Sequence, residues 1–154
     1  MDHYARKLNN YMEDRRIDGE LLCFDASCHS VSEAAAAAGV SEDLFAKNIC
    51  MVDSQKRMIV AIVKGRDRAS ASRAAAILKS EKPRLATEEE ILEGTGYPCG
   101  GTPSFGFDAL FLVDSRIMEM DEVYTGGGSS QSLVRIKPSE LLRANGGHVA
   151  RVRR

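Results

Sequence analysis

The chain has 154 residues, about the length of one domain. Its residues are 44% hydrophobic and 28% charged, which excludes a disordered or fibrous chain. The 21 Lys and Arg residues and the 22 Asp and Glu residues leave a net charge of -1. This balance excludes a histone-like protein that binds a polyanion through its overall positive charge. We therefore expect a single domain over residues 1–154, in which any nucleic acid is bound through local contacts.

The chain is expected to work in the reducing cytoplasm without a membrane partner. None of its four cysteines forms a C-x-x-C pair, and its start shows no secretory pattern. The longest apolar run, residues 58–63, is far shorter than the roughly 20 residues that cross a bilayer. Cys28 and His29 lack a second ligand pair at zinc-site spacing, so we expect no metal and no other cofactor.

The N-terminal part predicts two helices and a strand. Apolar residues recur at helical spacing among charged neighbours within residues 1–16, a pattern typical of an amphipathic helix. A short strand is expected at residues 21–24. Ser32 as N-cap and Gly39 as stop delimit an alanine-rich helix.

The middle of the chain predicts a hairpin of two strands, residues 46–52 and 58–63. The second run is apolar on both faces, which is typical of a central strand with both faces covered. The remaining helices are expected at residues 69–78, 87–93 and 138–146. The remaining strands are expected at residues 84–86, 110–113, 118–124 and 133–136. Because this order has no regular strand-helix-strand period, we expect an α+β fold with a mixed sheet or barrel flanked by helices.

Residues 95–106, TGYPCGGTPSFG, form a segment that we call the glycine-proline loop. Glycine and proline supply half of it, which excludes regular helix or strand. Such glycines let the backbone approach a ligand, and consecutive amides can converge on an oxyanion. A surface turn is the alternative, but the length, the two prolines and the aromatic residues favour a loop beside a pocket. The segment is not a P-loop, since no Lys-Ser or Lys-Thr pair follows the glycines.

A second glycine cluster lies in residues 124–132, YTGGGSSQS, which we call the triple-glycine loop. It joins two expected strands, so a plain hairpin turn explains it. Its glycines and hydroxyl side chains could equally line the pocket beside the glycine-proline loop. The sequence leaves both interpretations open.

Lys47 is the one basic residue inside the first strand of the expected hairpin. In strand geometry it shares a face with Ile49 and Met51. Lysine is rarely buried without a partner. Three explanations therefore remain: that face of the strand is exposed to solvent, Lys47 lies at the strand end, or its side chain points into a cleft.

Positive charge is concentrated in two basic stretches, residues 64–84 and 135–154. Each has five more basic than acidic residues. Such runs are usually solvated helix faces, but they could also flank an acceptor for phosphates.

Together these segments resemble the YbaK/ProX family of aminoacyl-tRNA deacylases, which includes the editing insertion domain of bacterial prolyl-tRNA synthetases. The resemblance rests on LFAKNICMV around Lys47, GRDR at residues 65–68, the glycine-proline loop, and VYTGGG at 123–128 followed by LVRIKPSELL. It covers the chain from about Cys28 to its end. It implies a curved, barrel-like mixed sheet and hydrolysis of mischarged tRNA, typically proline tRNA carrying Ala or Cys.

The resemblance also implies a set of site residues. Lys47, with Gly100, Gly101 and Thr102, is expected at the reaction centre. Residues expected to shape the substrate pocket are Asn48, Tyr97, Pro103, Ser104, Gly126, Gly127 and Gly128.

Two positions depart from the usual family pattern. Loops of the family often read Gly-Gly-x-x-Pro, but here Pro103 comes one place earlier and Ser104 holds the later position. The pair of Lys47 and Asn48 resembles members that remove Ala, whereas Thr often follows the lysine in the branch that removes Cys. The rest of the chain does not decide between these branches.

The expected partners are the 3′ end of an aminoacyl-tRNA and an aminoacyl-tRNA synthetase, and not DNA. The alternative is a non-catalytic module of the same fold that binds tRNA or a synthetase. The Ser104 departure and the absence of a recognisable general base motivate that alternative.

Overall fold

The computed structural model describes all residues from Met1 to Arg154. Its five α-helices are α1 (His3–Asp14), α2 (Val31–Ala38), α3 (Ala71–Leu78), α4 (Glu88–Thr95) and α5 (Pro138–Asn145). Its eight strands are β1 (Gly19–Cys23), β2 (Ala46–Val52), β3 (Met58–Lys64), β4 (Arg84–Leu85), β5 (Leu110–Asp114), β6 (Val123–Gly126), β7 (Ser132–Ile136) and β8 (His148–Ala150). Two 3-10 turns lie at Glu42–Leu44 and Ile117–Glu119. No helix combines the length and the apolar character needed to cross a bilayer.

The strands form two sheets, in the orders β1-β7-β6 and β4-β2-β3-β5-β8. The smaller sheet is antiparallel, and the larger is mixed because β5 lies parallel to β3 and to β8. A single bridge between Phe45 and Tyr124 links the two sheets. The mixed α+β fold expected from the sequence is therefore confirmed, but the strands divide into two sheets that are not closed into a barrel.

The central position of β3 is confirmed. β3 pairs with β2 on one side and with β5 on the other, and residues 59–63 are fully buried. Val60 and Ile62 face a core shared with α1, α4, α5 and the smaller sheet. Ile59 and Val63, on the opposite face, pack in a second cluster under α3. Both faces are covered, so the strand is apolar throughout instead of alternating.

Local sequence signals delimit the helices, with one correction. Thr87 and Glu90 form the expected capping box at α4. The N-cap of α2 is Ser30 and not Ser32, because the Ser30 hydroxyl accepts a hydrogen bond from the Glu33 N–H. Gly39 ends α2 in the left-handed conformation, as expected.

In the C-terminal half, one strand prediction was wrong and one strand was not predicted. Residues 118–124 do not form one strand, because the N–H groups of residues 118–120 bond locally in the turn at Ile117–Glu119. The strand begins only at Val123 and runs to Gly126. β8 was not predicted, since three residues after Gly147 carry no periodicity and become a strand only by pairing with β5.

Candidate active site

One pocket gathers residues from six separate segments of the chain. It encloses about 170 Å³ where the start of β2 meets the glycine-proline loop and the triple-glycine loop. Five residues singled out in the sequence line it, namely Lys47, Asn48, Gly100, Thr102 and Gly126. The other lining residues are Cys28, His29, Ser30, Val31, Ala34, Phe45, Ala46, Ile91, Cys99, Thr125 and Leu133.

Lys47 lies at the end of β2 that borders the pocket. It pairs with Val63, and its side chain is half-buried. Burial lowers the pKa of the Lys47 ammonium below its usual value, the nearby Asp67 opposes this effect, and the charge of Arg68 adds to it. A partly desolvated ammonium attracts an oxyanion or a phosphate more strongly than one surrounded by water. Lys47 is therefore both a strand-end residue and a lysine in a cleft.

Asn48 belongs to a closed ring of hydrogen bonds with Ser104 and Thr125. Its Nδ2 donates to Thr125 Oγ1 at 3.0 Å, and its Oδ1 accepts from Ser104 Oγ at 2.7 Å. The two hydroxyl oxygens lie 2.6 Å apart. Because Ser104 gives its only proton to Asn48, Thr125 must donate to Ser104.

The same asparagine also holds the glycine-proline loop. The second hydrogen of its Nδ2 goes to the carbonyl oxygen of Thr102 at 2.9 Å. Both amide hydrogens of Asn48 are thus used within the protein, so its side chain ties β2, this loop and β6 together. Ser104 is fully buried behind Asn48 and does not line the pocket.

Replacing Ser104 with alanine is expected to lower the free energy of unfolding by about 1–3 kcal/mol, because Asn48 Oδ1 and Thr125 Oγ1 would lose a buried partner. Chemical denaturation of the purified variant measures this loss. Ser80→Ala is the matched control, since the Ser80 hydroxyl bonds to a backbone oxygen on the exposed surface. We expect the control to change stability by less than about 0.5 kcal/mol. Equal stabilities of the two variants would contradict the ring.

The backbone of the glycine-proline loop turns sharply at Gly100, where φ is +87°. The N–H of Gly101 donates to the Pro98 carbonyl oxygen at 3.0 Å, which closes the turn. The N–H of Thr102 makes no hydrogen bond within the protein, and Thr102 lines the pocket. This N–H is available to a carbonyl oxygen or an oxyanion of a ligand.

The triple-glycine loop packs directly against the glycine-proline loop. The N–H of Gly128 donates to the Gly101 carbonyl oxygen at 2.8 Å. A Cβ at Gly126 would lie 2.1 Å from the Thr102 carbonyl oxygen, so only glycine fits between the loops there. Gly127 and Gly128 lie outside the pocket, where Gly127 meets β7 and Gly128 meets the backbone of Tyr4.

Tyr97 and Pro103 are buried and do not line this pocket. The Tyr97 ring packs in the core near Tyr4 and Phe107, with the Lys7 ammonium 4.5 Å from the ring centre. Burial raises the pKa of the Tyr97 hydroxyl to about 12. Tyr97 therefore anchors the glycine-proline loop, to which it belongs, in the hydrophobic core.

Sequence reasoning did not assign His29, Cys28, Cys99 or Thr125 to the pocket. His29 is exposed, and its ring lies against the Cα of Gly100, where a Cβ would come within 2.2 Å of Nδ1. Burial raises the pKa of the Cys28 and Cys99 thiols, so both stay protonated near neutral pH. Only the fold brings these residues together, because no spacing in the sequence connects His29 with Gly100. No three His, Cys, Asp or Glu side chains lie close enough to hold a metal ion.

Known proteins match the chain over most of its length. Bacillus subtilis YwhH, an uncharacterized protein, is 27% identical over 126 residues, which is 80% of each chain. The crystal structure of a candidate trans-editing enzyme for prolyl tRNA synthetase superposes with a TM-score of 0.91 and 27% identity, covering 100% of this chain and 99% of the other. The hypothetical protein APE2540 has a TM-score of 0.88 and 30% identity, covering 96% and 99%.

The family comparison covers the whole pocket. Residues 25–144 match the aminoacyl-tRNA editing domain. Every pocket residue described above lies within that range. With more than three quarters of its length matched, the chain belongs to the aminoacyl-tRNA editing domain family.

Proposed function

We propose that this protein is a trans-editing deacylase that hydrolyses the ester of mischarged tRNA, with proline tRNA carrying Ala or Cys as its substrate. The observation that carries the proposal is the small pocket lined by both Lys47 and Thr102, whose N–H makes no hydrogen bond within the protein. Its volume of about 170 Å³ is well below that of pockets for drug-sized ligands, roughly 300–1,000 Å³. Such a pocket suits a single small amino acid better than a nucleotide.

The chemistry needs little beyond positioning, because an aminoacyl ester is already activated. A water molecule attacks the ester carbonyl carbon, negative charge develops on the carbonyl oxygen, and the C–O bond to the ribose then breaks. The Thr102 N–H and the Lys47 ammonium are the donors that would stabilise this oxyanion. The departing ribose oxygen takes up a proton as the free amino acid leaves.

The thiols that line the pocket do not serve as nucleophiles in this proposal. A thiolate is the reactive form, and burial raises the pKa of Cys28 and Cys99. The attacking water is therefore activated by another group, either the exposed imidazole of His29 or the neighbouring ribose hydroxyl of the substrate itself.

Replacing Lys47 with alanine tests the proposal directly. Purified protein is incubated with proline tRNA charged with Ala, Cys, Ser or Thr, and release of the amino acid is measured. We expect release of Ala or Cys by the unmodified protein and a fall of about 100-fold in the rate for Lys47→Ala, the size of effect seen when one oxyanion donor is removed.

Lys56→Ala is the control, because Lys56 is an exposed lysine in the turn at the other end of the β2–β3 hairpin. It should hydrolyse at the unmodified rate. Equal rates for Lys47→Ala and Lys56→Ala would remove Lys47 from the reaction centre. Release from none of the charged tRNAs would overturn the deacylase assignment.

The second candidate is a module that binds the aminoacyl end without turnover. It is favoured by the ring of Asn48, Ser104 and Thr125, since these polar side chains satisfy one another and offer no proton transfer to a ligand. Binding of charged tRNA with no release of amino acid would select this candidate.

A further inference from the structure

The fold brings the two basic stretches of the sequence against each other. The N–H of Arg154 donates to the Arg68 carbonyl oxygen at 2.8 Å, and Ser70 N–H donates to the Val152 carbonyl oxygen at 2.8 Å. Ala69 and Arg153 form an antiparallel bridge. The end of the second stretch therefore runs alongside the loop in the first.

This junction collects arginines that we call the arginine surface, namely Arg68, Arg73, Arg116, Arg151, Arg153 and Arg154. Only two carboxylates pair with it, Asp67 with Arg116 and Asp114 with Arg153. The other four arginines are exposed and form no salt bridge. The pKa of the Arg151 guanidinium is lowered, first by the charge of Arg73 and also by those of Arg153 and Arg116. Four of the six positive charges are thus held near one another without a paired carboxylate, on a chain whose net charge is -1.

The arginine surface reaches the border of the pocket. The loop that contains Arg68 lies beside the start of β2, because the N–H of Gly65 donates to the carbonyl oxygen of Phe45 at 2.8 Å, and Phe45 and Lys47 both line the pocket. In agreement with this placement, the charge of Arg68 lowers the pKa of Lys47. The N–H of Arg154 donates to the Arg68 carbonyl oxygen, so the C-terminal arginines lie beside this loop. A chain of phosphates that leaves the pocket near Lys47 would therefore pass close to guanidinium groups that have no carboxylate partner.

We infer that the arginine surface binds the phosphate backbone of the RNA stem whose 3′ end enters the pocket. The inference rests on the proposed function for the identity of the RNA. Arginine binds phosphate through paired N–H donors, and such contacts set the position of a nucleic acid and supply much of its affinity. Three of the six arginines of the arginine surface, Arg151, Arg153 and Arg154, lie beyond residues 25–144, the range that matches the family.

The test measures binding of an RNA hairpin that has an acceptor stem and a single-stranded 3′ end but carries no amino acid. Binding is measured by fluorescence anisotropy over a range of salt concentrations. The variant is Arg73→Glu/Arg151→Glu, because both side chains are exposed and neither lines the pocket. We expect the dissociation constant to rise roughly tenfold and the slope of log affinity against log salt to fall by about 2, one for each lost phosphate contact.

The matched control is Lys56→Glu/Lys82→Glu, which changes the net charge equally at exposed positions away from β8. Lys56 is in the β2–β3 turn, and Lys82 precedes β4 at the opposite edge of the larger sheet. The control should retain the affinity and the salt slope of the unmodified protein. An equal loss in both variants, or an unchanged salt slope in the arginine variant, would overturn the inference.

A second measurement separates this inference from the proposed function. Hydrolysis of a short aminoacyl ester that ends in a single nucleotide needs the pocket and not the stem, so the arginine variant should hydrolyse it at the unmodified rate. A reduced rate on this short ester would place the arginines in the reaction instead of in stem binding. If neither the unmodified protein nor the variants hydrolyse any ester, the deacylase proposal fails. If the arginine variant still loses affinity for the hairpin in that case, RNA binding by the arginine surface is supported independently.

Discussion

Replacing Asp114 with alanine is expected to lower the free energy of unfolding by about 3–5 kcal/mol, the cost of removing one partner of a buried ion pair. The Asp114 side chain is fully buried, and its carboxylate lies 3.0 Å from the Arg153 guanidinium. It also accepts hydrogen bonds from the N–H groups of Val152, Arg153 and Arg116. Without it, an arginine that is 14% exposed and three backbone donors would lose their acceptor. Denaturant titration followed by circular dichroism measures the change.

The control for this variant is Asp43→Ala. The Asp43 carboxylate also pairs with an arginine, Arg66, but both side chains are more than half exposed. Exposed pairs contribute about 0–1 kcal/mol, so the control should remain close to the unmodified protein. A loss below about 1 kcal/mol for Asp114→Ala would show that the C-terminal segment is not held by this carboxylate.

The same carboxylate should make stability depend on acid pH. Burial acts to raise the pKa of Asp114, but the hydrogen bonds from Val152, Arg116 and Arg153 outweigh it and hold the pKa below 3.8. A group with a lowered folded-state pKa stabilises the protein above its unfolded-state pKa and loses that contribution as the pH falls towards its folded-state pKa. The stability difference between the unmodified protein and Asp114→Ala should therefore shrink below about pH 4.

Gly126→Ala is expected to lower the free energy of unfolding by about 1–3 kcal/mol and to abolish ester hydrolysis. The added methyl carbon would lie 2.1 Å from the Thr102 carbonyl oxygen and 2.9 Å from that of Gly101. Both contacts are with backbone atoms, so the two loops must move apart. That movement would carry the Thr102 N–H away from the ester and break the bond from Asn48 to Thr102. Denaturation and the charged-tRNA assay measure the two effects.

Gly94→Ala is the matched control for the same change of residue type. Gly94 lies inside α4, and the only close contact of its added Cβ is the flexible end of Met58 at 2.7 Å. Alanine is favoured over glycine within a helix by about 1 kcal/mol, so this variant should be at least as stable as the unmodified protein. Full activity in Gly126→Ala would mean that the two loops do not need their close packing for catalysis.

These variants probe the support of the pocket and the support of the arginine surface separately. Gly126 sets the spacing between the two glycine loops at the pocket wall. Asp114 holds residues 152 and 153 against the end of β5, which keeps the arginine surface beside the loop that contains Arg68. We therefore expect Gly126→Ala to slow hydrolysis of charged tRNA and of the short aminoacyl ester alike. We expect Asp114→Ala to weaken binding of the RNA stem and to lower the stability of the protein.

The structure gives a role to Ser104, the residue at which the glycine-proline loop departs from the family pattern. In the sequence it stands where related loops often have proline, and it is one of the two reasons to consider a non-catalytic module, beside the absence of a recognisable general base. In the structure its hydroxyl completes the ring with Asn48 and Thr125. Proline has no hydroxyl and could not make these bonds, so the ring depends on the departure.

Local signals in the sequence determined much of the fold of this protein. The β2–β3 hairpin, the capping box at Thr87 and the proline at the start of α5 act over a few residues, so the sequence reveals them directly. Composition and glycine clustering also indicated two irregular loops, and the family motifs indicated an editing domain, a result that the match of residues 25–144 confirms. The individual site residues stay predictions that the proposed experiments test.

Only the tertiary structure decided which of these segments meet. The contact of His29 with Gly100, the ring through Asn48, Ser104 and Thr125, and the placement of Arg154 beside Arg68 all join residues that are far apart in the chain. β8 likewise exists because β5 offers it an edge. Periodicity and capping act within a few residues, whereas these contacts depend on how two sheets and five helices pack. The sequence thus determined most of the elements and the family, and the packing determined β8, the pocket wall and the arginine surface.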